Sequence, residues 1–96
     1  MTIRIIIADD HSVVRQGLRM FLGLDPELEV VGEAVNGAEA VQKAEALQPD
    51  VVLMDLIMPV MSGLEATAEI RRRGLAAQVI VVTSVIEEAA VTAVIR

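Results

Sequence analysis

A chain of 96 residues with a formal charge of −6 is one small acidic domain, close to the size limit at which a single core holds a fold. With 8 Lys and Arg against 14 Asp and Glu it lacks the clustered cations that hold nucleic-acid phosphates, and with no cysteine it has neither disulfides nor thiolate metal ligands. No apolar stretch approaches bilayer length and no basic region leads into a hydrophobic signal segment, so a cytoplasmic protein without membrane contact is expected.

Ile3 to Ala8 is an apolar run interrupted by Arg4 and ended by Asp9-Asp10. It is too short for a helix and rich in β-branched residues, which predicts a strand buried on both faces. From Ser12 the spacing becomes helical, with Val14, Gly17, Leu18, Phe21 and Leu22 as the apolar stripe, and the helix is expected to stop between Gly23 and Pro26. Leu28 to Gly32 reads as a second strand. Asn36 caps a second helix with Glu39 three residues on, and Ala40, Val41, Ala44 and Leu47 form its buried side. Pro49-Asp50 breaks that helix, and Val51 to Met54 is a third strand ending at Asp55.

A loop from Leu56 to Met61 follows, then a capping box of Ser62 and Glu65 opens a third helix through Arg73, closed by Gly74. Arg71, Arg72 and Arg73 read as a solvated helix end complementing the helix dipole. Val79 to Val82 is a fourth strand ending at Thr83. Glu87 and Glu88 then begin a fourth helix with Ala90, Val91, Val94 and Ile95 on its apolar side. Strand and helix thus alternate four times, which gives right-handed crossovers and a doubly wound parallel sheet covered on both faces. A pattern that stops on a helix leaves the last strand as an apolar edge. The expectation is therefore an incomplete fold, its fourth strand paired with another chain or covered by residues beyond Arg96.

Polar groups interrupt the apolar pattern at equivalent places: Asp9 and Asp10 after strand one, Asp55 after strand three, Thr83 after strand four. If the strand order is 2-1-3-4, these lie together at the carboxyl edge of the sheet, where ligands of such folds bind. Carboxylates so close repel, and a hard divalent cation such as Mg²⁺ relieves them while leaving room for a phosphate. Asp55 is then placed to act as a nucleophile towards phosphorus, and Thr83 to donate to phosphoryl oxygens. Each element also has a plainer reading: an acidic pair is a common helix cap, a lone Asp a turn residue, a strand-end Thr structural. Met54, Met58 and Met61 read as core and loop fillers, and a single His11 without a nucleophile partner gives no catalytic motif. The functional reading rests on all three acidic and hydroxyl positions falling at one edge.

The stretches that carry these groups resemble a known family. Ile5-Ile6-Ile7-Ala8-Asp9-Asp10-His11 is similar to the opening of response regulator receiver domains, and Asp9 to Leu18 resembles those joined to LuxR/NarL-type DNA-binding output domains. Pro49 to Pro59 with Ser62-Gly63 is similar to the phosphoacceptor strand and loop, and Val79 to Ser84 to the switch strand. The resemblance spans the whole chain and implies a flavodoxin-like receiver over residues 1–96. It implies phosphorylation on Asp55 by a sensor histidine kinase; Mg²⁺ held by Asp10 and Asp55, by Asp9 largely through water, and by the backbone carbonyl of Ile57; and phosphoryl contacts from the Thr83 hydroxyl and the Ser84 amide. It further implies a homodimer through receiver surfaces, and DNA reached only through an output domain that this chain does not carry. The fifth strand with its Lys, the aromatic switch residue and the fifth helix of the family are absent. Two other readings are a Mg²⁺-dependent phosphohydrolase with an aspartyl nucleophile, and a truncated receiver that binds partners without phosphorylation. The first expects an acid two residues after the nucleophile, where Ile57 stands.

Overall fold

The computed structural model describes residues 2–82; Thr83, Ser84 and the expected fourth helix lie outside the described residues. The elements run β1 (Ile3–Ala8), α1 (Ser12–Leu22), β2 (Leu28–Ala34), α2 (Gly37–Leu47), β3 (Val51–Met54), α3 (Gly63–Arg72) and β4 (Gln78–Val81). Every strand pairing is parallel, and the order is β2-β1-β3-β4, as expected from the alternating pattern. β1 and β3 sit inside the sheet, which explains their apolar sequences, broken only by Arg4 at the start of β1. β2 continues two residues past the expected Gly32, because Glu33 on this edge strand is held by Arg15 and Arg19 of α1 at 2.9 and 2.8 Å. Burial is the largest single influence on the Glu33 carboxyl and pushes its pKa up. The Arg19 and Arg15 hydrogen bonds together outweigh it and hold the group below its ordinary range.

One face of the sheet carries the main core. Ile6, Ala8, Ala34, Val52 and Met54 from the strands meet Ala40, Val41 and Ala44 of α2 and Ala66 and Ile70 of α3, with Met58 closing the cluster from the loop. Small alanines on the helix side bring the backbones near the sheet, so large aliphatics on the strands fill the space. The capping expectations hold. Asn36 accepts from the Glu39 amide at 2.8 Å, and Ser62 and Glu65 form the reciprocal box. Arg4, which breaks the apolar run of β1, reaches the carbonyl end of α2 and donates to the carbonyls of Leu47 and Gln48 at 2.7 and 2.9 Å. It thereby satisfies carbonyls that the helix leaves open. The arginine run at the end of α3 does more than face solvent. Arg72 and Arg73 both bond Glu69, which holds that carboxyl down to about 2, and Arg73 also reaches Glu45 of α2.

The first helix forms as its spacing predicts, but its apolar stripe is largely open among the described residues. No residue of this helix is fully buried, Phe21 is 70% exposed, and only Leu18, Leu22 and Arg15 are half-buried. A periodic apolar stripe becomes a buried one only when neighbours cover it. Among the described residues α1 packs mainly on β1 and β2. Gly17 lies mid-helix on this open side, with nothing within 4 Å of the position a Cβ would take. Gly17→Ala is therefore expected to stabilise the fold by about 0.5–1 kcal/mol through helix propensity. Thermal melting should show an upward shift.

Candidate functional site

Where β1 and β3 end side by side, the apolar sequence gives way to acids. The Asp55 amide donates to the Ala8 carbonyl at 2.9 Å, and the Asp9 amide to Ala34 at 3.0 Å, so the ladders extend one residue past each strand into the polar cluster. Asp9 is 6% and Asp55 2% exposed, while Asp10 faces outward. One ligand atom from each of Asp9, Asp10, His11 and Asp55 lies within 4.8 Å of the others. The three acids expected to converge therefore do so, at the point where the strand order reverses.

His11 was not expected in this group. Its backbone N–H and its Nδ1 both approach Asp9 Oδ1, at 2.8 and 2.9 Å, and Nδ1 is 3.2 Å from Asp10 Oδ1. The hydrogen bond to Asp9, then the charge of Asp10, raise the imidazole pKa above its ordinary range. Its position directly after an acidic pair was the available signal. Arg15 supports the same corner, donating to the Asp9 carbonyl at 2.7 Å while its other end is held by Glu33. Ile57, expected to act through its carbonyl, lies in the loop after β3 and is 58% exposed.

That loop is fixed by two glycines. A Cβ on Gly63 would stand 2.1 Å from the Asp55 carbonyl oxygen, and one on Gly37 would stand 2.3 Å from the Met61 oxygen. The Gly63 amide bonds the Leu56 carbonyl at 2.8 Å and the Gly37 amide bonds Met61 at 2.9 Å. The first turns of α3 and α2 thus press directly on the segment that leaves Asp55. Val60, between them, has φ 69°, a left-handed conformation that costs a β-branched side chain roughly 1–2 kcal/mol. With the side chain itself exposed, Val60→Gly should stabilise the fold by about 0.5–1 kcal/mol, part of the relief being lost to the freer unfolded chain. A denaturant titration that moved the other way would contradict the strain.

The cluster suits a hard divalent cation in its donor chemistry, since three carboxylates converge at one point. Comparison with known proteins places this geometry in context. The family model for the response regulator receiver domain matches residues 5–96. The chain is 48% identical over 94 residues to the transcriptional regulatory protein LiaR of Bacillus subtilis, covering 98% of this chain and 44% of that protein. It is 44% identical over 88 residues to the response regulator protein VraR of Staphylococcus aureus, covering 92% of this chain and 42% of that one. The chain thus spans less than half the length of these relatives. Among solved structures, the signal receiver domain of the response regulator NarL from Mycobacterium tuberculosis superposes with a TM-score of 0.83 at 36% identity, covering 85% of this chain and 66% of that one.

Proposed function

The chain belongs to the response regulator receiver domain family, and on that premise we propose that it accepts a phosphoryl group on Asp55 from a sensor histidine kinase in the cytoplasm. The observation that supports this most is the meeting of Asp9, Asp10 and Asp55 within 4.8 Å at the switch point of the sheet. An Asp55 oxygen bonds to phosphorus as the bond from phosphorus to the donor nitrogen breaks, the electron pair leaving with the donor ring. Asp9, Asp10, Asp55 and the Ile57 carbonyl would hold Mg²⁺, whose charge, when bound, offsets that of the phosphoryl oxygens.

The remaining residues prepare this step. The hydrogen bond from the Asp55 amide to Ala8 and the close approach of Gly63 fix the backbone of Asp55, and its near-complete burial keeps bulk water from the acyl phosphate. Arg15 holds the backbone of Asp9 through its carbonyl. Thr83 and Ser84, which follow Val82 beyond the end of β4 in the sequence, are assigned the phosphoryl-binding hydroxyl and amide by family resemblance. The signal is proposed to pass through a receiver–receiver dimer to a DNA-binding output domain. The phosphohydrolase reading is disfavoured by the exposed aliphatic Ile57 where a second catalytic acid is required.

Incubation with a small phosphodonor such as acetyl phosphate and Mg²⁺ tests the proposal. The expected result is a mass gain of one phosphoryl group that chelation of the metal prevents. Continuous turnover of the ester without a phosphorylated chain would favour the enzyme reading instead.

A further inference from the structure

We propose that His11 makes this pocket a site for two classes of ion, with a borderline transition metal held by the imidazole together with the Asp9 and Asp10 carboxylates in competition with Mg²⁺. The inference rests on the metal-assisted reading above and adds to it a nitrogen donor. Three observations carry it.

The first is geometric. His11 Nδ1 lies 2.9 Å from Asp9 Oδ1 and 3.2 Å from Asp10 Oδ1, with one Asp55 oxygen inside the same 4.8 Å group. Ligands bound to one small ion at roughly 2.0–2.2 Å stand about 3–4 Å apart, so these donors need only small rotations to share an ion. Secondly, the His11 side chain is 61% exposed, and its backbone N–H is bonded to Asp9. The ring is anchored beside the acids and can turn its nitrogen to an ion without leaving a packed position. The third concerns alternatives elsewhere. The chain has one histidine and no cysteine, so its only imidazole lies in the pocket and no thiolate competes for a transition ion.

The two ion classes read these donors differently. Mg²⁺ keeps an octahedral shell of oxygens and waters and gains little from an imidazole, whereas Zn²⁺ takes imidazole and carboxylate together. A Zn²⁺ ion so placed uses the same acids as Mg²⁺ and excludes it. Phosphoryl uptake supported by Mg²⁺ should consequently fall as Zn²⁺ is added.

Isothermal titration of the chain with Zn²⁺ and, separately, Mg²⁺ tests this, using wild type, His11→Ala and His11→Gln. Both substitutions should weaken Zn²⁺ binding about tenfold or more and leave Mg²⁺ binding within roughly threefold. In NMR spectra the imidazole nitrogen signals, which arise from His11 alone, should shift with Zn²⁺ and not take on a metal-bound signature with Mg²⁺. An unmoved ring signal, Zn²⁺ affinity indifferent to both substitutions, or equal losses for the two ions would each overturn the proposal. If wild type binds neither ion, the metal-assisted reading of the pocket fails and takes this inference with it. If Mg²⁺ binds and Zn²⁺ ignores His11, this inference alone is lost.

Discussion

Asp55→Asn is expected to abolish phosphoryl uptake while stabilising the metal-free chain by about 1 kcal/mol or more, the repulsion between unit charges some 4 Å apart. The substitution keeps the size of a side chain that is 2% exposed, so the packing around it should survive. It removes the oxygen nucleophile and one of three charges gathered within 4.8 Å. The two effects carry opposite signs, which separates a chemical role from a structural one. A residue needed only for folding would lose stability and activity together. Added Mg²⁺ should also raise the melting temperature of the variant less than that of wild type, since a ligand that binds only the folded state stabilises it by about 2.7 kcal/mol at a hundred times its Kd.

Gly63→Ala should be the most damaging single methyl group in the molecule. The added carbon would lie 2.1 Å from the Asp55 carbonyl oxygen, 2.9 Å from its carbonyl carbon and 3.0 Å from the Leu56 Cα. These are backbone atoms anchored by the β1 ladder, through Asp55 to Ala8, and they cannot swing aside as a side-chain end can. Either α3 lifts from the sheet and disturbs Ala66 and Ile70 in the core, or the end of β3 shifts and carries Asp55 with it. Overpacking a rigid site costs about 1–3 kcal/mol or more, and backbone contacts this short put the loss at the upper end. For a domain of this size that corresponds to a fall in melting temperature of roughly 12 °C or more. Phosphoryl uptake should drop even at temperatures where the variant stays folded. A variant with wild-type melting and uptake would show that the loop is not held as described.

The strands were legible because parallel strands inside a sheet must be apolar on both faces, and Ile5–Ala8 and Val51–Met54 are. The second and third helices were legible from their caps, since Asn36 with Glu39 and Ser62 with Glu65 are local chemistry that needs no tertiary partner. Convergence of the acids followed from topology. With strand ends at 8 and 54 and the order 2-1-3-4, Asp9, Asp10 and Asp55 could only meet at one edge.

What escaped the sequence depends on contacts between distant parts. The apolar spacing of α1 gave its helix but not how far each residue is covered, and among the described residues Leu18 and Leu22 are half-buried while Phe21 is exposed. Glu33 hid two residues of β2, because a charge in a short apolar run reads as a strand end until Arg15 and Arg19 are seen beside it. Gly37 resembles a cap residue in sequence, and only the folded chain shows the Met61 carbonyl where its side chain would be. The left-handed turn at Val60 carries no signal at all, since a valine there argues against the conformation it adopts.

The most direct measurement is chemical mapping of the phosphorylated residue. The chain is phosphorylated by a small donor in Mg²⁺, the acyl phosphate is reduced with borohydride, and the modified peptide is sequenced by mass spectrometry. Modification at position 55, lost on chelation and in Asp55→Asn, is the predicted result. A label on another residue, or one that persists in Asp55→Asn, would contradict the account.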